Sequence, residues 1–330
     1  MARVVRFHAF GGPEVLRVQD EPSAEPGPGE VRIAVAAFGL NRVEALFRAG
    51  GMGPVRFPSR IGYEAAGTVT ALGEGVTRWR VGDRVATLYG LSMEDYGTHA
   101  DEIVYPADML VAVDAGQSLV EAAASWMQYG TAYALIAPGN VQAGDVVAIT
   151  AASSSVGIAA IQIANACGAV PVAITRGDEK ASALKAAGAA HVIVSEREDA
   201  CVGLLEFSGG RGVQILFDAL GGLPLQAMIP AVAPHGMVIA YGMLAGHEAR
   251  LSLPQVMMAN LTLRGFSADH IVKDPAARQA MLAWLSPRLA DRTLVSLIDS
   301  TFALDGIAAA HRRLESNAQL GKIVVTTHHL

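Results

Sequence analysis

The sequence predicts an α/β protein in which an all-β domain, a barrel or a sandwich, accompanies a doubly wound parallel sheet. Three observations carry that expectation. Residues 1 to about 124 hold short β-branched runs separated by glycine and proline clusters. From near Ala122 to about residue 264, apolar strands alternate with helical stretches. At Asp145–Ala164, a β-branched run, a small-residue turn and a helix-compatible run follow one another.

The first segment places strands at Val4–Phe7, Leu16–Val18, Val31–Ala36, Ala66–Leu72 and Arg84–Leu88. Gly11-Gly12-Pro13, Pro26-Gly27-Pro28-Gly29, Gly73-Glu74-Gly75 and Gly82-Asp83 supply the turns. One helical patch, Arg42–Arg48, puts Val43, Leu46 and Phe47 on one face. The alternating segment predicts six strands: Val146–Thr150, Val170–Thr175, His191–Val194, Val213–Phe217, Met237–Tyr241 and Leu261–Leu263. Their near-continuous apolar character suits a sheet covered on both faces. Gly168, Gly188 and Gly236 end the intervening helices as left-handed caps. The last residues predict a helix over 274–289, a strand over 295–298, a helix over 304–320 and a strand over 322–326, returning to the first domain.

Composition bounds the function. A chain of 330 residues, 52% hydrophobic and 17% charged, holds two cored domains. A net charge of −6 without a basic run argues against nucleic acid. The uncharged stretch Val146–Thr175 is long enough to cross a membrane, but its serines, Gly168 and Pro171 break it into strand, turn, helix and strand. No membrane partner is expected. Two cysteines, Cys167 and Cys201, suit a reducing cytoplasm and read as inert packing residues. His328 and His329 read as a tail rather than a metal site, and His99 and His191 as structural.

A strand, tight turn and helix N-terminus form an anion site, because free N–H groups and the helix dipole converge there. Of the usual Gly-x-Gly-x-x-Gly fingerprint only Gly157 is present, so Ala151–Gly157 by itself reads equally as an ordinary turn. Set among six alternating strands, it becomes the pyrophosphate turn of a dinucleotide domain. The second strand ends Ile174-Thr175-Arg176, with Lys180 beyond and no carboxylate at its tip. A hydroxyl and two cations suit a 2′-phosphate, so NADPH is expected over NADH. The competing reading is that Arg176 and Lys180 are solvated charges.

Gly39-Leu40-Asn41, Ile61–Val69 (Ile-Gly-Tyr-Glu-Ala-Ala-Gly-Thr-Val), Val81–Val85 (Val-Gly-Asp-Arg-Val), the 151–157 turn and Gly321–Val325 (Gly-Lys-Ile-Val-Val) resemble the medium-chain dehydrogenase/reductase superfamily. The resemblance covers the whole chain and is nearest the zinc-free quinone oxidoreductase branch. It implies a GroES-like β-barrel catalytic domain (1–124 and 265–330) plus a doubly wound parallel-sheet (Rossmann) dinucleotide-binding domain (125–264). The superfamily's catalytic zinc positions fall on Asn41, Tyr63 and near Met127, whose side chains cannot replace thiolate and imidazole, so no metal is expected.

The resemblance further implies that Ser153, Ser154, Ser155, Val156 and Gly157 carry the pyrophosphate. Thr131 and Phe266-Ser267 then lie toward the nicotinamide, Tyr241-Gly242 at the end of the fifth strand where ligands meet parallel sheets, and Lys322 close to the cofactor phosphates. Asn41 and Tyr63 are the catalytic candidates, Asn41 as a donor to the acceptor carbonyl or to the nicotinamide ribose, Tyr63 as a phenol for hydrogen bonding or proton delivery. Tyr63 reads equally as a core residue. Tyr89, Tyr96 and Gln128 are substrate-pocket candidates, and Glu44 with Arg48 reads as an i,i+4 surface pair. Without a Lewis acid, ordinary alcohol oxidation loses its driving group, while quinones and α,β-unsaturated carbonyls still accept hydride. The expected function is thus zinc-independent, NADPH-dependent reduction of a quinone or enone. The alternatives are a carbonyl reductase or alcohol dehydrogenase of the same superfamily, and a non-catalytic NADPH-binding protein. A homodimer is expected, joined near Leu261–Leu263.

Overall fold

The computed structural model describes residues 1–330. The chain forms two compact units, one of 1–127, 272–280 and 295–330, the other of 128–271 and 281–294.

Strands of the first unit are β1 (Ala2–Arg6), β2 (Arg17–Glu21), β3 (Glu30–Gly39), β4 (Glu64–Leu72), β5 (Arg84–Thr87), β6 (Glu102–Pro106) and β7 (Leu110–Ala112). The second unit contributes β8 (Val146–Ile149), β9 (Val170–Thr175), β10 (His191–Val194), β11 (Val213–Asp218), β12 (Val232–Ala240) and β13 (Thr262–Gly265). The chain then adds β14 (Ile298–Ala303) and β15 (Lys322–Thr326) to the first.

In the first unit, β1 pairs with β2, and a seven-stranded sheet runs β14-β15-β3-β4-β5-β7, with β6 on β3. Its long strand β3 alternates because one face packs inward: Val31, Ile33 and Val35 are buried while Arg32 and Ala34 between them are half-exposed. Strand β15 lies antiparallel to β3, bringing Gly39 opposite Val324. The helix Arg42–Arg48 follows β3 directly and starts at Asn41.

In the second unit, six parallel strands run β10-β9-β8-β11-β12-β13. The order reverses between β8 and β11, the topological switch point where ligands meet such sheets. Val147, Ile149, Val172, Ile193, Leu216 and Phe217 are all at most 2% exposed, which is why these strands read as unbroken apolar runs.

Several boundaries moved. Gly168 and Gly188 do take left-handed caps (φ 73° and 104°). Gly236 is not a cap. It lies inside β12, at the irregularity where pairing with β11 jumps from Val213↔Val232 to Ile215↔Met237, and the left-handed residue is His235. The strand expected at 295–298 begins at Ile298 instead, and the helix expected over 304–320 is confined to Ile307–Glu315. Asn317 turns left-handed (φ 57°), and Asp299 takes both Arg313 and the Leu320 N–H, which ends the helix early. Residues 265–271 and 281–294, expected in the first domain, belong to the second unit, because β13 extends to Gly265 along β12 and Met281, Leu285 and Leu289 are buried there. No helix is long and apolar enough to cross a membrane.

Candidate functional site

The carboxyl ends of the parallel strands collect most of the expected cofactor residues. Strand β8 ends at Thr150 and turns at Ala151, which holds a left-handed φ of 46°. Ser154 then caps the helix Ser155–Ala166, its hydroxyl accepting the Gly157 N–H at 3.1 Å. The other first-turn N–H groups, of Ser155 and Val156, have no intrahelical acceptor and are open to an anion. Gly157 is required here by packing: a Cβ would sit 2.5 Å from the Ala152 carbonyl oxygen. Lys180 reaches back to donate to the Ser153 hydroxyl at 3.3 Å. Thr175 is buried at the tip of β9, and Arg176 beside it is exposed. The neighbouring carboxylate does not quench that guanidinium, because Asp178 pairs with Arg197 at 2.8 Å.

Strand β11 brings Asp218, which sequence reasoning missed. Its Oδ1 accepts the Thr150 hydroxyl at 2.8 Å and its Oδ2 the Gly221 N–H at 2.7 Å, tying the tips of β8 and β11 together at the switch point. An aspartate ending an apolar strand was the available signal. Burial raises its carboxyl above the ordinary range against the opposing pull of those donors. Tyr241, at the tip of β12, stacks on Phe217 (4.1 Å between rings). Its hydroxyl is buried without a hydrogen-bond partner, and burial, then the Asp218 charge, push the phenol upward while the Ser154 hydroxyl pulls it down. A neutral O–H donor is therefore held beside the capping serine of the turn. Gly242 follows it, and Phe266, whose N–H bonds Ala240, and exposed Ser267 border a depression of about 290 Å³ with Arg264 and His270. Gln128 and Thr131 lie one turn apart and buried on the helix Trp126–Ala132.

The first unit holds a buried ionic network. Lys322 (1% exposed) pairs with Glu64 (1%) and donates to the Asn41 Oδ1 at 2.7 Å. Asn41 Nδ2 lies 3.2 Å from Glu64 Oε1 and 3.1 Å from Glu44 Oε1. Glu44 also accepts the backbone N–H groups of Asn41 (2.8 Å) and Tyr63 (3.1 Å), while Glu64 Oε2 accepts that of Met127 at 3.0 Å. Gly39 makes room for this, since a Cβ would stand 2.6 Å from Lys322 Cε and 2.4 Å from the Ala123 oxygen. Burial acts to raise the Glu44 carboxyl, but His99, whose Nε2 lies 3.4 Å from it, His311 and the Asn41 N–H outweigh it and hold it low.

Three expectations are corrected by this geometry. Lys322 does not reach for cofactor phosphates, because its ammonium is committed inside the first unit. The Asn41 amide is likewise committed, both donors to carboxylates and its oxygen to Lys322, so it is an N-cap and network hub rather than a donor to a carbonyl. Glu44 and Arg48 do not pair: Arg48 is buried against Glu315 (2.6 Å), His311 Nδ1 (3.0 Å) and the Gly11 carbonyl (3.0 Å). Tyr96 ties the barrel by donating to Glu30 at 2.8 Å, and Tyr89 is fully buried. Tyr63 is 8% exposed, beside Glu64.

Zinc does not fit the Asn41, Tyr63 and Met127 positions. They offer an amide already engaged, a phenol and a thioether, a donor set foreign to Zn²⁺. Both cysteines are half-buried with thiols pushed up by burial, consistent with packing.

Comparison with known proteins places these features in context. A family model described as "Alcohol dehydrogenase GroES-like domain" matches residues 27–115 and one described as "Zinc-binding dehydrogenase" matches 155–286. The chain is 31% identical to a quinone oxidoreductase of Pseudomonas aeruginosa over 98% of this chain and 99% of that one. It is 30% identical to a 2-haloacrylate reductase of a Burkholderia species, over 98% of each. An Escherichia coli quinone oxidoreductase, solved in complex with NADPH, superposes with a TM-score of 0.91 at 26% identity, covering 99% of this chain and 100% of that one.

Proposed function

From the premise that the chain belongs to the quinone oxidoreductase-like branch of the medium-chain dehydrogenase/reductase superfamily, we propose an NADPH-dependent, zinc-independent reductase of quinones or α,β-unsaturated carbonyls. One observation carries the cofactor half. The buried Tyr241 hydroxyl lacks a partner beside the Ser154 turn, at the switch point of the sheet, where a pyrophosphate oxygen would accept from it. Ser153, Ser155, Val156 and Gly157 frame the same turn. Arg176 offers its guanidinium fork to a 2′-phosphate, with Thr175 and Lys180 beside it. Gly242 permits close approach at the tip of β12, and Thr131, Phe266 and Ser267 complete the cofactor set.

NADPH supplies the hydride. The chain's own residues bind and orient it and exclude water. Electrons displaced from the acceptor's double bond settle on its carbonyl or quinone oxygen, which then takes a proton. With Asn41 engaged, we assign that hydrogen bond or proton to the Tyr63 phenol, whose backbone N–H is pinned by Glu44. Gln128 is retained as a substrate-pocket residue. The names of the relatives, a quinone oxidoreductase and a 2-haloacrylate reductase, support an electrophilic double bond as the acceptor. The donor set at Asn41, Tyr63 and Met127 supports chemistry without a metal.

We also propose a homodimer. Strand β13 is an unpaired edge, and Leu253, Met257, Met258 and Leu263 nearby are 39–88% exposed. Light scattering on the purified chain tests this, and a monomer at micromolar concentration rejects it. Two unpaired cysteines support a reducing compartment such as the cytoplasm.

The function is tested by following NADPH oxidation with a quinone, an enone and the matching saturated ketone, with and without EDTA. Turnover of the first two, indifferent to EDTA, is expected. Turnover restricted to the saturated ketone, or restored only by Zn²⁺, rejects the proposal in favour of a carbonyl reductase. Tight NADPH binding without turnover of any acceptor rejects it in favour of a non-catalytic binding protein.

A further inference from the structure

Asp101, between β5 and β6, is held in place by backbone. Its N–H donates to the Arg3 carbonyl at 3.0 Å, its Oδ1 accepts the Arg3 N–H at 2.7 Å and its own carbonyl accepts the Val35 N–H at 2.8 Å. The residue is 2% exposed, yet its second oxygen, Oδ2, is buried with no hydrogen-bond partner. An orphaned carboxylate oxygen in a well-satisfied core calls for an explanation.

The tail after β15 runs directly over that oxygen. Thr327 anchors it, donating its N–H to the Ala36 carbonyl at 3.0 Å and its hydroxyl to the Val35 carbonyl. The chain then turns, with the His329 N–H on the Thr327 hydroxyl at 3.1 Å. In an extended strand two successive side chains point to opposite faces. Here the turn puts both on one side, and the His328 and His329 rings lie 3.9 Å apart. His328 Nδ1 stands 3.5 Å from Asp101 Oδ2, and one ligand atom from each of Asp101, His328 and His329 lies within 4.8 Å of the others.

We propose that Asp101, His328 and His329 form a binding site for a divalent transition-metal ion that fastens the tail to the sheet. Two imidazoles and one carboxylate suit Zn²⁺, Co²⁺, Ni²⁺ or Cu²⁺, whereas Ca²⁺ and Mg²⁺ demand an oxygen cage. Asp101 is the fixed member, its geometry set by Arg3 as a ligand's is by an outer partner. The two exposed rings are the mobile members and close on the ion, leaving a position for water. The other three-residue cluster, Glu44, His99 and His311, is wholly buried, with the Arg48 guanidinium 3.0 Å from His311 Nδ1.

Isothermal titration of the full, chelator-treated chain with Zn²⁺ tests the site, with Ca²⁺ and Mg²⁺ as controls. One Zn²⁺ per chain is expected at this site, with no response to the controls. His328→Ala and His329→Ala should each weaken it by about tenfold or more. Both rings are exposed, so these variants fold, and neither residue belongs to the reductase machinery, so NADPH turnover is unchanged. Co²⁺ should give a visible absorption band that the variants and Asp101→Asn lose. No Zn²⁺ binding by the wild type, or an undiminished affinity in the His328→Ala/His329→Ala double variant, overturns the proposal.

Discussion

Replacing Lys322 with methionine tests the buried network most directly. Methionine keeps a similar apolar length, so little packing is lost, but the ammonium between Glu64 and Asn41 disappears. Glu64 is 1% exposed and is then left with only two neutral donors, the Met127 N–H at 3.0 Å and the Asn41 amide at 3.2 Å. Removing one partner of a buried ion pair typically costs about 3–5 kcal/mol. The two surviving hydrogen bonds place this case near about 3 kcal/mol. Urea unfolding followed by tryptophan fluorescence reads the change, since Trp79 and Trp126 both lie in the first unit. Lys322→Met/Glu64→Gln should recover most of the loss, giving a coupling of roughly 2–3 kcal/mol in the double-mutant cycle. NADPH affinity of the folded Lys322→Met variant should equal that of the wild type. A loss below about 1 kcal/mol, additive single mutants, or tenfold weaker NADPH binding would refute the assignment of Lys322 to the network.

Arg176→Ala should raise KM for NADPH by roughly ten- to a hundredfold while leaving that for NADH unchanged, because a charge-assisted contact to the 2′-phosphate contributes roughly 1.5–3 kcal/mol; steady-state kinetics with both cofactors checks it, and equal losses contradict it. His311 is held neutral by burial, its pKa lowered to about 3 from 6.5, with His99 and Arg48 pushing the same way and Glu44 opposing. The unfolded chain therefore binds a proton below pH 6.5 that the native chain refuses until about pH 3. Its contribution to stability is complete above pH 6.5 and drains away as pH falls toward 3, with a limiting slope of about 1.4 kcal/mol per pH unit. Urea unfolding across this range should show a slope shallower by one proton in His311→Gln, and identical slopes would contradict it.

Periodicity and punctuation were enough to make the architecture legible. The six parallel strands betrayed themselves because both their faces are buried, and apolar runs such as Val146–Ile149 have no other economical use. The turn after β8 was legible because its parts follow one another in local order: strand, small turn, capping Ser154, Gly157. The position of Arg176, just past the tip of β9, was legible for the same reason.

What stayed hidden were contacts between residues far apart in the chain. Position relative to a family motif pointed Asn41 and Lys322 outward, to substrate and phosphate. Their fate was decided by β15 lying against β3, which sets residue 322 beside residues 41 and 64 and satisfies all three inside the core. The same limit applies to Asp218, whose partner Thr150 is 68 residues away, and to His328, whose carboxylate partner is Asp101. The sequence by itself determined the fold class, the strands of the parallel sheet and the strand, turn and helix around Ser154, because those rest on local propensity and burial pattern. Only the tertiary structure decided which polar side chains are left available for chemistry, because a buried charge must find its partner wherever the fold brings one.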